Sequence, residues 1–364
     1  AASDVYKRQS VDNMKTQIFV MTHKKFNPPK DTVYVPLQVG SALNPDLGYM
    51  KDDTGDSISD LNPYYGELTG MYWLWKNYSD ADIIGICHYR RYFFNANGKL
   101  MTREQYETEL ADADLMVSNP VFAPKPYLEY FGEAHNREDM LLAGEVIGRL
   151  YPDDYPAFEK VMQGTKYYFG NLCVMRKQLF DNYCNWLFSI FFEMEQYIDV
   201  SSYDDYHKRL FGFISEGLLL VYITANSLKV KEGHIGITAE KTETVEFKLA
   251  MGQLVKLGQF TEARQLFYDF LKIRPDIQLD LSDVSNEIPD IELILFILER
   301  EKELGIVGMY EVSHDLRDLI QHLRKTREIL LNEKKQKTEN NLEEQYLSDK
   351  KVSEIMRNVI MANI

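Results

Sequence analysis

An α/β fold followed by an all-helical C-terminal region is predicted by three features of the sequence. Short apolar strand segments alternate with amphipathic helical stretches from about residue 15 to 240. The first and third of these strands stop abruptly at polar or basic residues, as strands do where a sheet edge meets a cleft. Beyond Thr242 only helical periodicity continues. The predicted domains are an α/β domain over residues 14–240 on a mostly parallel sheet, a helical domain over 241–331 and a charged helical tail over 332–364.

The first strand is TQIFVM, Thr16 to Met21, which ends at Thr22-His23-Lys24. A second, Val33 to Val39, leads into the long polar loop LNPDLGYMKDDTGDSISD. Asn62-Pro63 then starts a helix, with Asn as cap and Pro at the first position, and Tyr65, Leu68, Tyr72 and Trp75 recur at helical spacing. The strand Asp82–Cys87 runs straight into His88-Tyr-Arg-Arg-Tyr-Phe93, which crowds basic side chains at its carboxyl end. Another strand spans Asp114–Ser118, with a helix from Glu138 to Leu150 after it. Tyr167–Met175 reads as a strand, and Lys177–Tyr197 and His207–Thr224 as helices. Two helices joined at Gly258 follow, spaced like one tetratricopeptide-type pair. Helices over Asp290–Glu303 and Val312–Leu331 complete the pattern.

Composition narrows the function. Of the 364 residues 45% are hydrophobic and 13% aromatic, which specifies a packed core and excludes a disordered chain. A formal net charge of −15 without a basic patch argues against nucleic acid as a partner. Three cysteines without CxxC spacing indicate neither a disulfide framework nor a zinc module and fit a reducing cytoplasm. No apolar run reaches the roughly 18 to 20 residues of a membrane span, so any membrane contact is peripheral. Residues 1–13 lack the apolar core of a signal peptide; Met14 is read as the start and what precedes it as a non-native or disordered leader.

Four constellations can carry chemistry. His88, Arg90 and Arg91 at a strand end match the oxygens of a nucleotide diphosphate, or pair with loop carboxylates such as Asp53 and Asp56 to hold the fold. Asp53 and Asp56 can alternatively hold magnesium or manganese, or serve ordinary turn chemistry. Asp112 and Asp114 form a DxD element, but they precede a strand and read as a strand cap. Glu216 is placed to take a proton from an acceptor hydroxyl as the general base of an inverting transfer, or sits near a helix start for its dipole. Asn171 suits a sugar hydroxyl or a turn, and His23 a base or phosphate. The chain has no GxSxG, Walker, GxGxxG or HExxH motif.

The segments THKKF (22–26), VPLQVG, DDTGDSIS (52–59), NPYYGELTGMYWLWKN (62–77), IIGICHYRRYF (83–93), NLCVMRKQLFDNYCNWLF (171–188) and RLFGFISEGLLLVYI (209–223) resemble a bacterial family. Its members carry a domain long labelled as of unknown function, occur in capsular and exopolysaccharide gene clusters, and are regarded as GT-A-like glycosyltransferases. The resemblance covers roughly residues 15–230 and implies a nucleotide-sugar-binding domain, with a UDP-hexose donor such as UDP-galactose and a lipid-linked saccharide acceptor at the inner membrane face. It also implies a departure. His88-Tyr89-Arg90 stands where GT-A enzymes generally place the metal-holding DxD, so the basic motif replaces the metal. The second reading is a non-catalytic polysaccharide-assembly scaffold that binds nucleotide sugar or partner proteins.

Overall fold

The computed structural model describes residues 14–274, 283–334, 341–349 and 352–363; the expected leader, residues 1–13, lies outside them. The chain divides into two compact units, one ending at Thr238 and the other beginning at Ala239.

In the first unit β1 (Thr16–Thr22), β2 (Tyr34–Gln38), β3 (Met50–Lys51) and β4 (Ile83–His88) form a parallel run in the order β3-β2-β1-β4. The register sets Thr22 beside Gln38 and Met21 beside His88, so the carboxyl ends of three strands share one edge. Five further strands complete the sheet system around this run: β5 (Arg91–Phe94), β6 (Leu115–Ser118), the β7 (Val121–Phe122) and β8 (Lys166–Tyr167) pair, and β9 (Cys173–Arg176). A last strand, β10 (Val230–Ile237), was not anticipated from the sequence; it lies between β5 and β6, antiparallel to one and parallel to the other. Because β9 pairs with both β4 and β6, the circuit β4-β5-β10-β6-β9 closes on itself.

The sheet is therefore mixed, which corrects the expectation of a mostly parallel one. Two returns explain it. After His88 the chain reverses through Tyr89-Arg90, and a direct return is antiparallel, whereas a parallel one needs a crossover of about a dozen residues. β9 begins beside the carboxyl ends of β4 and β6, where Cys173 pairs with Ile86 and Val117, and it can only run back between them.

Side-chain alternation along β1 sends Phe19 and Met21 into one core and Ile18 and Val20 into another. The first core is closed by α1 (Asn62–Tyr65), α2 (Leu68–Asn77), α4 (Tyr127–Ala134), α5 (Arg137–Leu150), α6 (Tyr155–Gln163), α7 (Lys177–Met194) and α8 (Leu210–Ala225), while α3 (Arg103–Glu109) brings Tyr106 to the second. Gly85 has its place because a Cβ there would lie 2.3 Å from Ile18 Cδ1. The helix expected from Asn62 onward is two helices, broken at Gly66, whose φ of 56° an α-helix cannot contain. Asn62 is not the cap; its amide donates to the Gly66 carbonyl instead.

The second unit is helical: α9 (Thr242–Lys256), α10 (Phe260–Ile273), α11 (Ile288–Glu303), α12 (Met309–Val312), α13 (Leu316–Lys334), α14 (Asn341–Asp349) and α15 (Glu354–Ala362). Its core gathers Met251, Phe267, Ile291, Leu295 and Leu323, and Met356 and Ile360 from α15 belong to it as well. Among the described residues no helix is long and apolar enough to cross a membrane.

One buried charge anchors the acidic loop. Asp52 is fully buried and accepts hydrogen bonds from the amides of Gly40 (2.9 Å) and Ser41 (3.1 Å) and from the hydroxyls of Ser41, Ser59 and Thr69. Hydrogen bonds to a charged group contribute about 1.5–3 kcal/mol each and orphaned donors are costly. Asp52→Ala is expected to lower stability by about 3 kcal/mol or more, read as a shifted urea midpoint at unchanged slope; a loss below about 1 kcal/mol would contradict this anchoring role.

Candidate functional site

Three chain segments converge on the carboxyl edge of the parallel run. The first is the turn from β4 to β5. His88 pairs with Arg91 across it, the Tyr89 amide donates to the Met21 carbonyl (3.1 Å), and the Arg90 carbonyl accepts from Thr238 (2.9 Å). The turn is thus bolted to β1 on one side and to the end of β10 on the other. The second segment is the loop between β8 and β9, where Gly170 (φ 87°) and Asn171 (φ 54°) take left-handed conformations in succession. That loop interrupts the single strand expected over Tyr167–Met175, because a left-handed pair ends strand pairing. The third is the break at Gly66 together with the first turns of α8.

Asn171 ties the three together. Its amide donates to Glu67 Oε1 (2.9 Å) and to the Gly212 carbonyl (3.2 Å), and its carbonyl oxygen accepts from the Ser215 hydroxyl (3.0 Å). Both amide hydrogens are committed, so toward a sugar hydroxyl the side chain could act only through its carbonyl oxygen, while within the fold it shapes the turn and ties the three segments.

Glu67 was not singled out in the sequence, although a Gly before a Glu in the middle of a helical pattern was the available signal. Burial alone would raise its carboxyl, but His88, the Arg209 guanidinium and the Asn171 amide outweigh burial and hold it below the usual carboxylate range. Glu67 is a half-buried carboxylate, its side chain 13% exposed. His88 lies 3.9 Å from it and donates its Nε2 hydrogen to the Gly170 carbonyl (3.0 Å), which leaves Nδ1 as an acceptor. Burial, reinforced by Arg91 and Arg90, pushes the imidazole down to about 4 against the opposing pull of Glu67, so His88 is neutral at physiological pH.

Arg91 is the most unusual group at this edge. It is only 7% exposed, its guanidinium lies 4.8 Å over the Phe169 ring, and its Nε is buried with no hydrogen-bond partner among the described residues. Burial and the charge of Arg90 both disfavour its cation, while Glu216 and Glu67 favour it at longer range. A guanidinium stays charged even so, and a buried cation with an unpartnered Nε is suited to receive an anion. Arg90 is also buried, beside the Tyr89 ring, against which His23 packs edge-on.

The acidic loop does not join this cluster through any hydrogen bond or ion pair. Asp53 keeps the Lys51 ammonium 3.4 Å away, and Asp56 accepts from the Tyr72 hydroxyl (2.9 Å), while its amide donates to Asn77 (3.0 Å). The other carboxylate oxygen of Asp53, Oδ1, is buried with no hydrogen-bond partner among the described residues. Asp114 accepts from the Lys229 amide (2.7 Å), the strand-cap role expected of it. Among the described residues no three His, Cys, Asp or Glu side chains form a metal-holding group. Glu216 sits in the second turn of α8, close enough to Arg91, Tyr127 and Tyr167 for its charge to act on all three.

Comparison with known proteins now bears on this edge. Residues 17–227 match a family described as a domain of unknown function, DUF4422. The chain belongs to that family. A solved structure, titled as the apo form of the bifunctional glycosyltransferase WbbM, is similar with a TM-score of 0.59 and 29% identity. The likeness covers 63% of this chain and 46% of that one, so the chain spans less than half of that protein. Curated protein sequences give no match.

The half-buried, neutral His88 has a consequence for pH. Between about 6.5, the ordinary histidine value, and about 4 the unfolded chain takes up a proton that the folded chain refuses, so stability falls as pH falls through that window. Glu67 adds to the loss at the lower end, because its folded carboxyl resists protonation. Urea unfolding from pH 7 to pH 4 is expected to show a shallower decline in His88→Asn than in the wild type. Parallel declines would show that His88 titrates normally in the folded protein.

Proposed function

We propose that this chain is a glycosyltransferase that moves a hexose from a UDP-sugar, such as UDP-galactose, to a saccharide acceptor of capsular or exopolysaccharide synthesis. The observation that carries the reading is Arg91, a buried guanidinium with an unpartnered Nε beside Arg90, at the sheet edge where α/β folds bind ligands. The likeness to a glycosyltransferase structure at 29% identity supports the same class of reaction.

Transfer forms a bond from an acceptor oxygen to the anomeric carbon, breaks the bond from that carbon to the diphosphate oxygen, and releases UDP with the electron pair. Arg90 and Arg91 offset the charge that grows on the diphosphate, in the place where a divalent ion would otherwise stand. Neutral His88 accepts a hydrogen bond at Nδ1 without adding charge, and His23 lies at the outer edge toward the nucleotide. Glu216 takes the proton of the attacking hydroxyl. The acceptor is carried on a lipid diphosphate, which places the protein in the cytoplasm, peripherally at the membrane's inner face.

Calorimetric titration with UDP, with and without manganese, tests the donor site. Metal-independent binding is expected, weakened at least tenfold in Arg91→Ala and in Arg90→Ala, with Arg91→Lys also impaired because an ammonium cannot reproduce the fork. Absence of UDP binding under both conditions would overturn the reading in favour of a scaffold or another donor. Glu216→Gln is expected to lower kcat by about 100-fold or more while the UDP affinity stays within twofold; unchanged kcat would remove Glu216 from the chemistry.

A further inference from the structure

Helix α8 is buried almost all round. In its first two turns Leu210, Phe211, Gly212, Ile214, Ser215 and Gly217 are all inside, and only Phe213 and Glu216 reach partial exposure. With Arg209 just before the helix, they fall at positions i, i+4 and i+7, which is a single stripe on one face. The Arg209 guanidinium lies 5.7 Å over the Phe213 ring. His135 stacks on the ring at 4.1 Å and Tyr206 packs against it at 5.0 Å, so it is held as a rigid plate.

A second set of rings meets the stripe at Glu216. Tyr127 comes up against α8 at Gly217, where a Cβ would lie 2.7 Å from the tyrosine Cε1, so this approach requires glycine. Tyr167 stacks on Tyr127 at 5.0 Å, and the partly exposed Tyr130 lies 6.0 Å from Tyr167. The charge of Glu216 acts on Tyr127, Tyr167 and Arg91 alike.

Aromatic plates with a few fixed polar groups suit a ligand that has apolar C–H faces and hydroxyl edges. A charged peptide would call for more ion-pairing groups than one Arg and one Glu. A lipid chain would not be served by a carboxylate in the middle of the surface. We infer that the Arg209–Phe213–Glu216 stripe, with Tyr130 beside it, is the binding site for a pyranose ring of the acceptor, which stacks on Phe213 and presents a hydroxyl to Glu216. The inference rests on the transferase reading and adds to it the class and location of the acceptor.

Saturation-transfer NMR with methyl β-galactopyranoside and methyl β-glucopyranoside, in the presence of UDP, tests it alongside calorimetric UDP titration. Expected are ring-proton signals from at least one pyranoside in the wild type, lost in Phe213→Leu, which keeps apolar volume but not the flat face, and retained in Phe213→Trp. UDP affinity is expected to stay within twofold in both variants. Wild type that binds UDP and neither pyranoside would overturn the acceptor site alone, as would an undiminished signal in Phe213→Leu. A chain that binds neither UDP nor a pyranoside would overturn the donor reading as well. Once an acceptor assay exists, Phe213→Leu should raise the acceptor KM at least fivefold and leave the donor KM unchanged.

Discussion

The hydrogen bonds of the Asn171 side chain are the constraint on which the rest of the site depends. One amide holds a half-buried carboxylate, a helix carbonyl and a hydroxyl at once, and the three belong to segments far apart in the chain. Without that tie Glu67 would be a half-buried charge without its amide partner, a costly arrangement. With it, the break at Gly66, the left-handed loop at Gly170 and the start of α8 are locked into one geometry. That geometry in turn fixes His88, whose Nε2 hydrogen goes to the Gly170 carbonyl.

Charge at this edge is graded. Glu67 is half-buried among polar partners, His88 is held neutral beside it, and the buried Arg90 and Arg91 lie on the turn that follows. Neutral His88 matters because a third cation there would repel Arg90 and Arg91 and destabilise the protein. Arg91 stacked on Phe169 is pre-organised, so less side-chain freedom is lost on binding. The outer aromatic surface along α8 includes Glu216, whose charge acts on Arg91.

Much of the framework was legible in the sequence. The apolar run of β1, the strand ending at His88-Tyr-Arg-Arg and the long helices α7 and α8 follow from periodicity, which local side-chain patterning controls. The crowded arginines after β4 could be read either as an anion site or as partners of loop carboxylates such as Asp53 and Asp56, because two guanidiniums at a sheet edge call for negative charge. The misses have physical causes. β10 reads as polar, since much of it is exposed or only half-buried, and it earns its place by pairing with β5 and β6. The strand through Tyr167–Met175 breaks because Asn171 adopts a positive φ, which residue type permits but does not demand. The acidic loop drew attention to Asp53 and Asp56, whereas the buried anchor is their neighbour Asp52.

By itself, the sequence determined where strands and helices form, that a helical region follows an α/β domain, and that basic side chains gather at the end of one strand. These are local matters of propensity and pattern. The tertiary structure alone decided which charges are buried and with whom. Glu67 meets Asn171 across a separation of 104 residues, and Asn171 meets Ser215 across 44. Desolvation and hydrogen bonding act between groups brought together in space, so the neutral state of His88 and the burial of Arg91 exist only once the sheet has closed and α8 has docked.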